Sequence, residues 1–138
     1  MDIAVNYLAI VATTVVNIVL GFLWYGPVFG KPWMREMGFT QEDMKAAQQK
    51  GMGKTYALMV VGALVLNYVL AQFVVLFGAT DYSSALQLAF WAWLGFVATT
   101  MLGQVFWESK SWTLYVINTA YYLVAISIAA VILAMWPA

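Results

Sequence analysis

The sequence consists of long hydrophobic runs separated by polar segments. Its charged residues leave four uncharged stretches of at least 26 residues each, at 3–30, 55–80, 82–107 and 111–138. A helix of about 20 apolar residues crosses a hydrocarbon core of about 30 Å, so each stretch is long enough to cross once. The pattern therefore predicts four transmembrane helices.

The predicted transmembrane helices run over about 3–25, 55–77, 83–106 and 113–135. The second and third are joined by a short turn, as are the third and fourth, and short connections favour antiparallel neighbours. We therefore expect an all-α fold, a four-helix up-down bundle that forms one domain over residues 1–138.

The sequence of the first loop, residues 26–54, predicts a helix end followed by two short helices. Gly26 and Pro27 are expected to end the first helix, because proline disfavours helical dihedral angles in the residue before it. Pro32 suits the first turn of a short interfacial helix. A capping signal at Thr40 predicts a second short helix.

Composition agrees with a membrane protein and excludes several kinds of chemistry. The chain is 64% hydrophobic and 9% charged, where soluble domains carry about 25% charged residues. It has neither cysteine nor histidine, so thiolate nucleophiles, zinc-thiolate sites and the commonest general base are excluded. Its few basic residues give no nucleic-acid footprint. We expect no enzyme activity, no cofactor and no metal site.

Basic residues predict the orientation. Five of the six lie between the first and second predicted helices, and Lys110 lies between the third and fourth. By the positive-inside rule both loops are cytoplasmic, which leaves the two termini and the turn at Asp81 outside.

Polar residues within the predicted helices form a candidate midplane site. Asn17 and Asn67 lie near the middle of helices 1 and 2, where an amide facing lipid costs several kcal/mol. Small residues at helical spacing beside them favour close packing. The candidates are Thr13, Asn17, Asn67, Thr99, Asn118 and Tyr122. They either hydrogen-bond between helices or line a path for a small solute.

Aromatic residues also lie unusually deep in the predicted helices. Trp91, Trp93, Tyr121 and Tyr122 are near the centres of their stretches, away from the interfacial belts. Their polar tips need partners. Packing against a neighbouring helix or subunit explains them best and predicts a homo-oligomer, and a pocket for a flat apolar ligand or a lipid is the alternative.

The run GFLWYGPVFGKPWM, residues 21–34, resembles the signature G-x-L-W-Y-x-P-x-x-F-G-K-x-W of a mostly bacterial family of small four-span membrane proteins of unknown function. One residue, not two, separates the proline from the phenylalanine here. The resemblance implies the topology and a bacterial inner membrane, and supplies no catalytic or ligand residues. The break at Pro27 leads us to expect an aromatic cluster with a lysine that reaches lipid phosphate. This motif comprises Trp24, Tyr25, Phe29, Lys31 and Trp33.

Two hypotheses about function follow. The first is a homo-oligomeric channel or transporter for a small solute. The alternative is a non-catalytic structural or accessory subunit of a larger membrane complex, including one that binds membrane lipids. A transporter needs a wettable path between the two sides, whereas a structural subunit needs a dry core and an apolar outer surface.

Overall fold

The structure, a computed structural model, describes residues 3–137 and is helical throughout, with no strand in that part of the chain. Residues 1, 2 and 138 of the predicted domain lie outside the described residues. The α-helices are α1 (Tyr7–Leu23), α2 (Gly30–Met37), α3 (Gln41–Gln49), α4 (Gly53–Leu76), α5 (Tyr82–Trp93), α6 (Gly103–Phe106) and α7 (Trp112–Met135).

Four helical stretches are long and apolar enough to cross a membrane, which confirms the predicted fold class. Two of them combine α-helix with π-helical turns. We refer to them as the first to fourth spans, and they are Tyr7–Val28, Gly53–Leu76, Tyr82–Phe106 and Trp112–Met135. The first begins at Tyr7, because the Asn6 side chain accepts a hydrogen bond from the Ala9 N–H and caps the helix.

The fourth span is the centre of the bundle. α7 packs against α1, α4 and α5, and α1 also packs against α4. Ala129 and Ala130 of α7 are fully buried, which lets the neighbouring helices approach closely. The third span packs almost entirely on α7 and is the least buried of the four. Helices α4 and α5 follow one another in the chain without packing side by side.

The prediction that Gly26 and Pro27 end the first helix is wrong. The helix continues through a π-helical segment, Trp24–Val28, that contains Pro27. Proline has no N–H and its ring collides with the carbonyl four residues earlier in an α-helix. The π-helical turn, in which the Phe29 N–H donates to the Trp24 carbonyl at 2.8 Å, widens the backbone and accommodates the ring. The chain leaves helical dihedral angles at Phe29, where φ is −121° and ψ is 12°, and this bend separates the first span from α2.

The third span is also interrupted, although its sequence predicts a continuous helix. A second π-helical segment, Leu94–Ala98, follows α5. Thr99 and Thr100 donate their hydroxyl hydrogens to the carbonyls of Gly95 and Phe96, each at 2.7 Å. Such hydroxyl bonds to a preceding turn bend helices.

This interruption corrects the placement of Thr99. The inner face of the third span passes through Ala85, Ala89 and Trp93, and beyond the interruption Val97 and Ala98 lie toward the bundle. Thr99 is therefore exposed on the outer side and takes no part in the bundle interior.

The first loop contains the two expected short helices. α2 begins at Gly30, and α3 begins at a complete capping box in which Thr40 and Asp43 bond reciprocally. The backbone N–H and the hydroxyl of Thr40 hydrogen-bond the Asp43 carboxylate and hold its pKa below the ordinary value. The loop end of the bundle, which also carries Lys110, is called the basic end below, and the end with Asn6, Asp81 and Trp136 the opposite end.

Candidate functional site

Two buried asparagines join three helices near the middle of the bundle. Asn67 of α4 donates to the Asn17 Oδ1 at 3.0 Å and to the Thr14 hydroxyl at 3.1 Å. Asn17 of α1 in turn donates to the Ala125 carbonyl of α7 at 3.1 Å. Asn67 is fully buried and Asn17 nearly so. The two amides therefore connect α4, α1 and α7 inside an otherwise apolar core.

The orientation of the Asn67 amide follows from its partners. Its Nδ2 faces the side-chain oxygen of Asn17, Oδ1, which can only accept a hydrogen bond. The reversed orientation of the Asn67 amide would therefore bring two acceptors together. The Asn67 Oδ1 is consequently left without a hydrogen-bond partner among the described residues. Such an atom is costly in a buried position.

Two tryptophan side chains donate hydrogen bonds to α7 from two sides, at a similar depth in the bundle. The Trp24 indole donates to the Ile117 carbonyl at 2.9 Å, and the Trp93 indole donates to the Thr119 carbonyl at 2.7 Å. Each tryptophan lies where an α-helix gives way to a π-helical segment. Residues two apart in an α-helix lie about 200° apart around the helix axis, so the first and third spans contact the central helix on nearly opposite faces.

A second polar group lies closer to the basic end. The Tyr25 hydroxyl donates to the Asn118 Oδ1 at 2.8 Å, and the Asn118 amide lies 3.5 Å from the Gln104 Oε1. Tyr121 donates its hydroxyl to the Asn17 carbonyl at 2.9 Å, and its ring centre is 5.5 Å from that of Tyr25. A Cβ at Gly21 would lie 3.2 Å from the Tyr121 hydroxyl, so a glycine there admits the ring.

The structure brings together some of the predicted midplane residues. Asn17 and Asn67 bond to each other, and Asn118 belongs to the group nearer the basic end. Thr13 is buried but donates only to the Ala9 carbonyl of its own helix. Tyr122 packs against the apolar core. Thr99, as described above, faces outward.

The aromatic motif of the first loop forms a compact group around the bend at Phe29. The Trp24 and Phe29 ring centres are 4.8 Å apart, and those of Tyr25 and Trp33 are 5.9 Å apart. Lys31 is exposed beside them at the basic end. Gly30 makes the bend possible, because a Cβ there would lie 2.7 Å from the Tyr25 carbonyl oxygen.

Three polar contributors were not identified from the sequence. Thr14 accepts from Asn67, and Gln104 lies next to Asn118. Tyr115 donates to the Ala98 carbonyl at 2.6 Å, at the end of the second π-helical segment. Thr14 is one turn from Asn17 and Gln104 is uncharged within an apolar span, so helical spacing and polarity were the available signals.

The chemistry of this network is that of hydrogen bonds between neutral groups. Its members are amides, hydroxyls, indoles and backbone carbonyls. Within residues 3–137 the one ion pair joins the neighbouring Arg35 and Glu36 at 3.7 Å, on the surface of α2. In the same part of the chain, no three acidic side chains come together as a metal site would require. The network can hold helices in register and orient a small polar molecule.

Comparison with known proteins gives one match. A family model described as "Protein of unknown function (DUF1761)" matches residues 8–134 and so includes all of the four spans except Tyr7 and Met135. No curated protein and no solved structure matches the chain.

Proposed function

The chain belongs to the DUF1761 family of proteins of unknown function, and from its geometry we propose that it is a non-catalytic structural subunit that self-associates in the membrane through its third span. The basic end faces the cytoplasm of a bacterial cell in this proposal. The partners are membrane lipids and further copies of the chain.

Trp91 carries the proposal. It lies near the middle of the third span and its side chain is 65% exposed. Trp24 and Trp93 both donate their indole N–H groups to α7, but the described residues provide no acceptor for Trp91. In hydrocarbon an unpaired N–H costs several kcal/mol. A second protein surface can remove this cost, whereas lipid tails cannot.

The surroundings of Trp91 suit a close protein contact. The third span packs on α7 from one side, which leaves its outer side free. A Cβ at Gly95, one turn from Trp91, would meet no atom within 4 Å. Glycine at an exposed position lets another helix approach closely. A second copy is the simplest occupant, because most soluble oligomers consist of identical chains with closed symmetry, and the same geometry is open to this chain.

The bundle interior also favours a structural role. Asn17, Tyr25, Tyr121 and the indoles of Trp24 and Trp93 are bonded to groups of neighbouring helices. A cavity between the ends of α4 and α7 lies at the opposite end, and none of these side chains lines it. A core closed by its own hydrogen bonds stabilises an assembly without offering a wet path.

Cysteine cross-linking in native membranes tests the proposal, because the chain has no cysteine of its own. Gly95→Cys lies on the proposed interface. Gly62→Cys is the matched control, since it replaces an equally open glycine at similar depth in α4. We expect a cross-linked dimer from the first variant and little from the second. Equal cross-linking of the two, or none at Gly95→Cys, would overturn the proposal.

Movement of a small solute is the second candidate, and one observation favours it. The unpaired Oδ1 of Asn67 is a free acceptor at the inner end of a series of polar side chains that extends from Gln104. Solute flux into proteoliposomes separates the two functions. Transport would be supported by a flux that exceeds the flux into protein-free vesicles and that is lower with the Asn67→Leu variant. The structural role predicts no excess flux.

A further inference from the structure

A cavity of about 210 Å³ lies at the opposite end of the bundle, away from the polar network. The segment before α1, the end of α4 and the end of α7 surround it. Val74 and Leu133 are buried in its wall, and Ala71 and Ala134 contribute small side chains. The cavity is therefore bounded by α4 and α7, two of the three helices that the asparagines join deeper in the bundle, and by the segment that leads into the third.

Hydrogen bonds hold one wall of this cavity in place. The Asn6 side chain donates to the carbonyls of Trp136 and Pro137 at 3.4 and 3.2 Å, while its Oδ1 caps α1. The segment before α1 is thereby tied to the end of α7. Small neighbouring side chains then keep the space between them open, so the cavity is a defined feature of the fold.

The lining identifies the chemistry of an occupant. No lining residue is charged, and the two polar ones, Asn6 and Thr80, lie at the outer edge. The amide of Asn6 is already engaged, whereas the Thr80 side chain is exposed. An apolar cavity of about 150 Å³ binds benzene, so this one is large enough for an apolar group of somewhat greater size.

Its place in the fold indicates how an occupant enters. α4 and α7 end at Leu76 and Met135, so the cavity lies where these spans leave the hydrocarbon. An amphiphile in that position has its polar head in water and its chain in the apolar layer. We propose that the cavity binds a segment of an alkyl chain, with the polar head of the same molecule beside Thr80.

Photolabelling of the protein in nanodiscs tests this binding. Two probes carry the same photoactivatable alkyl chain, one as a free fatty acid and the other as a phospholipid. We expect at least one to label residues 71–80 or 133–137 saturably, with unlabelled fatty acid or phospholipid as competitor. Labelling by the fatty acid identifies a free amphiphile as the source, and labelling by the phospholipid alone identifies a membrane lipid.

Filling the cavity provides the decisive comparison. Ala71→Leu places a larger side chain in the wall, and we expect at least a fivefold loss of labelling there. Ala57→Leu is the matched control, because Ala57 is exposed on the same helix, and it should label as the wild type does. Ala134→Leu fills the cavity from α7 and replaces Ala71→Leu if that variant does not fold.

Thermal unfolding gives an independent measurement. The probe that labels the cavity should raise the melting temperature of the wild type and of Ala57→Leu, but not that of a filled variant. Labelling of the lining residues that is no stronger than labelling of lipid-facing α4 residues, or that persists in both filled variants, would overturn the proposal.

Discussion

At the scale of single residues, neutral hydrogen bonds between helices define the interior. Asn17 and Asn67 join α4, α1 and α7 through groups that hydrocarbon cannot solvate. Between membrane helices each such bond contributes about 0.6 kcal/mol on average, because the separated helices also find partners. These bonds therefore fix the register of the helices more than they stabilise the fold.

A double-mutant cycle measures the central contact. Asn67→Leu removes two interhelical hydrogen bonds and is expected to lower the free energy of unfolding by about 1 kcal/mol. Asn17→Leu breaks the same contact from the other side. With both changes together, the loss should be smaller than the sum by about 0.6 kcal/mol. Strictly additive losses in a reversible unfolding titration would show that the two amides are not coupled.

The sequence was sufficient to identify these donors but not their acceptors. An amide in the middle of an apolar stretch has to avoid lipid, so Asn17 and Asn67 stand out. On α7 the acceptor of Asn17 is the backbone carbonyl of Ala125, and the acceptors of the Trp24 and Trp93 indoles are likewise backbone carbonyls, those of Ile117 and Thr119. Every residue has a carbonyl, so only the packing of the helices selects which ones are used.

At the scale of helices and their connections, the bend after the first span depends on backbone space. Pro27 is accommodated by a π-helical turn, and the next turn starts with Gly30 closely packed on the Tyr25 carbonyl. The bend brings Trp33 of α2 next to Tyr25. The aromatic motif is thus built by two backbone features, of which the sequence predicted the proline only as a helix end.

Gly30→Ala tests this interpretation. The added Cβ would lie 2.7 Å from a backbone oxygen, so the chain has to shift. We expect a loss of about 1–3 kcal/mol in unfolding free energy, as in other overpacked sites. Gly26→Ala is the control, because a Cβ there meets nothing within 4 Å. It should change stability by no more than about 0.5 kcal/mol. Similar losses in both variants would contradict the proposed role of Gly30.

The helices themselves were predictable, and their irregular turns were not. Hydropathy located the four spans within a few residues, because charge is costly in hydrocarbon wherever it occurs. The π-helical segment Leu94–Ala98 contains no proline, so no residue type in it signals the interruption. Uniform α-helical spacing assigned Thr99 to the interior, whereas in the structure Val97 and Ala98 lie there and Thr99 is exposed.

At the scale of the whole molecule, charge separates the two ends of the bundle. Lysine and arginine lie in the first loop and at Lys110, and the opposite end has Asp81. Hydrogen bonds from the N–H and hydroxyl of Ser84 hold the pKa of the exposed Asp81 carboxyl below its ordinary value. Because membrane insertion follows the position of the basic residues, the basic end should face the cytoplasm.

Single-cysteine labelling checks this orientation. In intact cells an impermeant maleimide should label Thr80→Cys but not Gln48→Cys, which lies in α3 and leaves every basic residue unchanged. Both positions are exposed. After the membrane is opened, both should react. Labelling of Gln48→Cys in intact cells would reverse the topology.

Self-association through the third span is the central claim for the assembled molecule, and particle mass in nanodiscs tests it most directly. Trp91→Phe keeps an aromatic ring but removes the unpaired N–H. Trp107→Phe removes the indole N–H of a still more exposed tryptophan just beyond the end of the third span, where water can accept its hydrogen bond. We expect the wild type and Trp107→Phe to run as dimers or larger assemblies. Trp91→Phe should associate about fivefold more weakly, which corresponds to about 1 kcal/mol. A monomeric wild type, or equal association of the two variants, would contradict the account.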